Sequence, residues 1–186
     1  MKRFLALLLF IVVFLTGCNS QKDINKAMQL RQSILKCKTC SFDIEITADY
    51  TDKLYTFRMS CKTDATGKLD FTVTAPESVA GISGTIDGEE GALQFDDQIL
   101  TFDLLTDGLV TPISAPWLLV RTLRGGYISS GGKDGDLFKI QIDDSYEDNP
   151  LRLDVWLDNN NYPVFADSLW DGCRVVSVTV ENFILQ

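Results

Sequence analysis

The chain has 186 residues, with 17 basic and 26 acidic side chains, a net charge of −9 and no histidine. That length suits one domain with a proper core rather than two. The acidity excludes nucleic-acid binding, which needs clustered Lys and Arg to neutralise phosphates. It also excludes a body lying flat on anionic lipid, which uses a polybasic patch.

The first stretch has the layout of a secretory signal: Lys2 and Arg3, an apolar run from Phe4 to Leu15, then small residues before a cysteine. The apolar run is too short to span a bilayer, for which roughly 20 residues are needed. Leu15-Thr16-Gly17-Cys18 resembles the bacterial lipobox, in which the cysteine is acylated and becomes the first mature residue. The alternative is an ordinary signal peptide in which Cys18 is incidental. The lipobox reading divides the chain into a signal peptide over 1–17, a lipidated tether over 18–22 and a folded domain over 23–186. Losing Lys2 and Arg3 leaves 15 basic against 26 acidic residues, a net of −11. Such a body stands off the membrane and depends on acyl chains, palmitate among them, since one chain binds marginally and two or more anchor stably.

Asp23 is placed to cap a helix to about Lys36, with Ile24, Ala27, Met28, Leu30, Ile34 and Leu35 as its apolar stripe. Cys37-Lys-Thr-Cys40 follows that helix and precedes a strand, whereas a redox CxxC opens a helix in a βαβ context. Zinc would need further ligands, and histidine is absent. A structural disulfide is the favoured use of these cysteines in an exported chain.

From Phe42 the apolar period becomes two. A turn near Thr51-Asp52 sets Phe42 opposite Cys61, Ile44 opposite Met59, Ile46 opposite Phe57 and Ala48 opposite Tyr55. The same register sets Glu45 against Arg58 and Thr47 against Thr56 on the other face, and a slip of one residue would spoil both faces. It also brings Cys40 to the face of Cys61, offset diagonally, so these two are the expected disulfide. A third strand carries Leu69, Phe71 and Val73 inward and ends at Pro76. Short strands follow over 82–86, 92–95 and 99–104, completing an antiparallel meander.

Ser114-Ala-Pro116 opens a helix through Leu123 that stops at Gly125-Gly126. Its run Trp117-Leu-Leu-Val120 is too apolar for one face of a surface helix. It therefore packs on the sheet or lies across an apolar concavity as a lid. Further alternating strands run through Phe138–Ile142, Leu151–Leu157, Tyr162–Trp170 and Cys173 to about Val180.

No Gly-x-Ser-x-Gly elbow or glycine-rich phosphate loop occurs, so no catalytic constellation, cofactor site or metal site is assigned. The acidic run from Asp143 to Asn149 lacks the alternating ligands and the glycine of a calcium loop and reads as a solvated turn. The chain is expected not to be an enzyme. About ten strands with two short helices carry more apolar face than the helices easily cover, so the sheet must curl toward a barrel or keep a cavity.

A helix first, about six meandering strands, a helical insertion and four or five more strands, on an exported chain, resembles the half-barrel of the LolA/LolB-like lipoprotein carriers and receptors. Phe71-Thr-Val-Thr-Ala-Pro76 with Ser78-Val-Ala-Gly-Ile82, and Leu153-Asp-Val-Trp-Leu-Asp158 with Tyr162-Pro-Val-Phe-Ala-Asp167, carry the likeness. The resemblance implies a mostly β fold, a curved antiparallel half-barrel of about ten strands with a helical insertion on its concave face. It implies a monomer holding a lipid or lipoprotein acyl chain. Phe57, Phe71, Phe95 and Phe102 line the cavity in that reading, under a lid of Trp117, Leu118 and Leu119. The site lies on the extracytoplasmic face of a bacterial membrane, cell or outer, attached through Cys18. The competing reading is an envelope interaction protein with a filled core.

Overall fold

A computed structural model describes residues 19–50, 53–88, 90–95, 98–106, 109–146 and 150–186. The signal segment, Cys18 and the Thr51-Asp52 turn lie outside the described residues. In chain order the elements are helix α1 (Asn19–Lys36), strands β1 (Thr39–Tyr50), β2 (Lys53–Asp64), β3 (Leu69–Ala75), β4 (Ser83–Asp87), β5 (Glu90–Phe95) and β6 (Gln98–Asp103), then the short strands β7 (Leu105–Thr106) and β8 (Leu109–Val110). A 3-10 turn (Pro112–Ser114) leads into α2 (Ala115–Gly125), followed by β9 (Tyr127–Asp134), β10 (Leu137–Asp143), β11 (Arg152–Leu157), β12 (Pro163–Trp170) and β13 (Cys173–Leu185).

Eleven strands form one antiparallel sheet in the order β6-β5-β4-β3-β2-β1-β13-β12-β11-β10-β9, and β7 and β8 pair separately. Each half of the sheet is a run of local hairpins. The two halves meet where the first strand pairs with the last, Ile44 opposite Val180, Ile46 opposite Val178 and Ala48 opposite Val176. The chain end is sewn to the α1–β1 junction: Gln186 O accepts from Lys38 N at 2.6 Å, and Gln186 N donates to Thr39 O at 2.9 Å. The sheet stays open between β6 and β9, giving the curled half-barrel expected from the strand pattern.

The β1–β2 register matches expectation throughout, from Phe42 opposite Cys61 to Ala48 opposite Tyr55. Arg58 Nε lies 2.6 Å from Glu45 Oε2 on the solvated face. Helix α1 starts at Asn19 rather than at Asp23, so the expected tether over 19–22 is helical; no Gly or Pro in Asn19-Ser-Gln-Lys22 opposes a helix. Its buried stripe is narrower than the pattern suggested. Ala27, Leu30 and Ile34 are buried, whereas Ile24, Met28 and Leu35 remain exposed, because α1 covers only one half of the sheet.

The helices hold to each other through Arg31. Its Nε donates to Leu123 O at 2.9 Å, and one terminal nitrogen donates to Gly126 O at 2.6 Å. A half-buried guanidinium thus satisfies carbonyls at the C-terminal end of α2, where the helix dipole favours a cation. Burial lowers the Arg31 pKa, an effect Tyr146 opposes. The helix ends at Gly125, and the following position has room only for glycine: a Cβ on Gly126 would meet Ile142 Cγ2 at 2.6 Å and Asp143 O at 2.8 Å.

Candidate functional site

The inward face of the sheet supplies one apolar core running from Ile34 and Phe42 through Leu118 to Val155 and Val180. On the side of β9–β12 this core is filled by the helices. Trp117, Leu118 and Leu119 are all buried, with Leu118 and Leu119 only 1% exposed. Helix α2 is therefore packed as core, the first of the two placements open to its apolar run.

Toward β2–β5 the filling stops. An apolar groove of about 380 Å³ lies between Tyr55, Phe57, Met59 and Val73 of the sheet and Val79, Ile82, Pro112 and Ile113 of two connecting segments. Each wall has a local cause. The strand residues are the inward set of the β1–β2–β3 register, with Met59 opposite Val73. The segment after β3 folds back so that Val73 N donates to Ile82 O at 2.8 Å and Gly81 N to Val73 O at 2.9 Å, which holds Val79 and Ile82 at the rim. On the other side, Ser114 Oγ donates to Thr111 O at 2.8 Å and pins the 3-10 turn that carries Ile113. Among the described residues, Thr111 and the Tyr55 phenol bring the only side-chain oxygens to the lining.

A larger depression of about 640 Å³ occupies the opposite face, lined by Ser60, Lys62, Asp70, Thr72 and Thr85. Those polar side chains belong to the solvated set of each strand, and Ala92, Leu93 and Ile99 add apolar surface to the same hollow. Among the described residues no group of three or more His, Cys, Asp or Glu is arranged to hold a metal. Asp143 is engaged with Arg152 at 2.9 Å, and Asp144 Oδ1 accepts from Leu151 N at 3.0 Å.

The aromatic residues singled out from the sequence separate into distinct places. Phe57 lines the groove. Phe95 stands 58% exposed at the end of β5. Phe71 is 3% exposed, because its ring lies over Gly84, its cross-strand partner, where a Cβ would fall 2.4 Å from Phe71 Cζ. Phe102 covers Gly91 in the same way. These two rings replace the side chain missing from the opposing glycine, so they pack within the sheet. Sequence reasoning missed Val79, Ile82, Pro112 and Ile113 as groove residues. Their one legible signal was apolar character in segments that break the strand pattern.

The expected Cys40–Cys61 bridge is corrected: Cys37, Cys40, Cys61 and Cys173 are all free thiols. Cys40 faces Thr63 while Cys61 faces Phe42, making the two a diagonal pair. Such pairs sit roughly 7–8 Å apart, past the usual disulfide span. Burial, with Cys37 nearby, pushes the Cys40 thiol up to about 12. Burial raises Cys61 as well, Asp43 and Cys40 adding to it. Thiols held protonated in this way are poor nucleophiles and poor metal ligands.

No protein-family model matches the chain, and no curated protein matches it. Solved structures of similar fold include a LolA superfamily protein from Nitrosomonas europaea, at 9% identity and a TM-score of 0.49, covering 86% of this chain and 93% of that one. A putative outer membrane lipoprotein-sorting protein domain from Vibrio parahaemolyticus has 11% identity and a TM-score of 0.49, over 90% and 94% of the two chains. The lipoprotein LppX of Mycobacterium tuberculosis has 10% identity and a TM-score of 0.42, over 86% and 92%.

Proposed function

We propose that this chain is a membrane-anchored, non-enzymatic lipoprotein that holds a lipid or acyl chain in the groove between β2–β3 and the 3-10 turn. The observation that carries the proposal is the lining: Phe57, Met59, Val73, Val79, Ile82 and Ile113 with hardly a polar group. Its volume lies within the roughly 300–1,000 Å³ usual for small-ligand sites. An apolar chain gains about 0.8 kcal/mol for each methylene it buries there. Phe95, exposed at the end of β5, extends apolar surface past the groove, as suits a chain longer than the groove itself. Trp117, Leu118 and Leu119 are buried in the core and do not line the groove.

The basic and apolar leader ending at Cys18 supports attachment at the extracytoplasmic face, with Cys18 acylated. Labelled palmitate incorporated by the chain and lost in Cys18→Ala is the expected outcome. For the groove, native mass spectrometry of residues 19–186 purified without detergent is expected to show acyl-lipid adducts that disappear in Ile82→Asp. A body that is free of adducts and leaves a fatty-acid fluorophore dark instead supports the second reading, an envelope interaction protein, which the filled core under α2 favours.

A further inference from the structure

The two edges of the sheet differ in a way the groove does not account for. Edge strand β9 reads Tyr-Ile-Ser-Ser-Gly-Gly-Lys-Asp, and α1 packs on it so closely that a Cβ on Gly131 would lie 3.4 Å from Asp23 O. Among the described residues, edge strand β6 pairs only with β5 in the sheet. Its outward backbone N–H and C=O groups, at alternate residues, face away from that ladder. It is apolar on both faces: Ile99, on the convex side, is 74% exposed and Leu100, on the concave side, 65% exposed. Natural edge strands are ordinarily guarded by a lysine, a proline or a covering element. Gln98-Ile-Leu-Thr-Phe-Asp103 contains neither a lysine nor a proline.

Charge selects the occupant. Between Lys68 and Arg121 the sequence contains nine Asp and Glu and no Lys or Arg. Strands β3–β6 all fall in that interval. In sheet order, the cations on strands nearest to β6 are Lys53, Arg58 and Lys62 on β2. A second copy of this chain would bring acid against acid if the same edges met. A basic partner strand meets complementary charge.

We infer that β6 is a docking edge for an extended segment of a partner protein, with apolar residues at alternating positions and Lys or Arg at its ends, added as a twelfth strand. Backbone bonds along β6 give such a strand its hold, and Ile99 and Leu100 contact its side chains on the two faces. The inference does not depend on the groove holding lipid.

The test uses the full chain in detergent micelles and two synthetic eleven-residue peptides with the same alternating Val-Thr centre. One peptide is flanked by paired lysines and the other by paired glutamates. The lysine peptide is expected to bind about tenfold or more tightly than the glutamate peptide, with the difference shrinking as salt rises. Hydrogen exchange on binding is expected to slow the amides of residues 98–103. Leu100→Lys together with Ile99→Lys, both at exposed positions, is expected to abolish the binding. Equal binding of the two peptides, protection confined to other segments, or no binding would overturn the inference. So would a chain that sediments as a dimer and becomes monomeric in the double variant, which would give the edge to a second copy.

Discussion

On the β9–β12 side of the sheet, Phe138, Ile140, Ile142, Leu153, Val155 and Leu157 are all buried beneath α1 and α2. On the β3–β6 side, Phe95 and Leu100 share the same inward parity yet stay largely exposed. The two halves are built from similar hairpins with similar alternation, so strand pattern does not separate them. The helices do: Arg31 ties α1 to the end of α2, and α2 reaches across to the β2–β3 turn, where Arg124 donates to Ala65 O at 2.7 Å, while Phe95 and Leu100 on β5 and β6 stay exposed. What remains uncovered becomes the groove and the bare edge. Under the proposed reading, recognition falls in the part left uncovered, as is common where binding surfaces are drawn from the less tightly packed parts of a fold.

The comparison breaks most readily at α2. Leu118→Ala removes a fully buried side chain and is expected to cost about 2–5 kcal/mol. Leu100→Ala on the open half should stay within about 0.5 kcal/mol. Urea unfolding of the two variants measures the contrast, and equal losses would mean that both halves share one packed core. Next in size is Arg31→Ala, which strips charge-assisted bonds from the α2 carbonyls at an expected cost of about 1.5–3 kcal/mol. The same unfolding series reads it, and proteolysis near Gly125-Gly126 should quicken.

A pH-dependent effect, small near neutrality, comes from the seam between the halves. An ordinary thiol ionises near 9, and folded Cys40 only near 12. The unfolded chain therefore releases this proton first as pH rises. The contribution of Cys40 is complete below pH 9 and is lost by about 1.4 kcal/mol per pH unit on the way to 12. Cys61 acts in the same direction. Unfolding free energies between pH 8.5 and 10.5 should fall accordingly, and Cys40→Ala should flatten the slope. A disulfide between Cys40 and Cys61 would remove the slope entirely.

The β1–β2 hairpin was legible because Phe42, Ile44, Ile46 and Ala48 alternate with polar residues and because Glu45 and Arg58 fix one register. The α2 boundaries were legible from Ser114, Pro116 and Gly125-Gly126. Two features were hidden for a physical reason each. Ile46 meets Val178 across most of the chain, and no local pattern encodes which distant strand an edge will find. The groove is walled by Val79, Ile82 and Ile113, whose positions depend on hydrogen bonds in irregular segments rather than on a period. Phe71 and Phe102 lie over Gly84 and Gly91, and the pairing register rather than the strand pattern reveals those partners.

The most direct test of the groove is photocrosslinking with a fatty acid carrying a diazirine at its chain end. Peptide mapping is predicted to place the adducts on residues 55–59, 73–82 and 111–113. Adducts on Trp117, Leu118 or Phe71, or none at all, would contradict the groove as the ligand site.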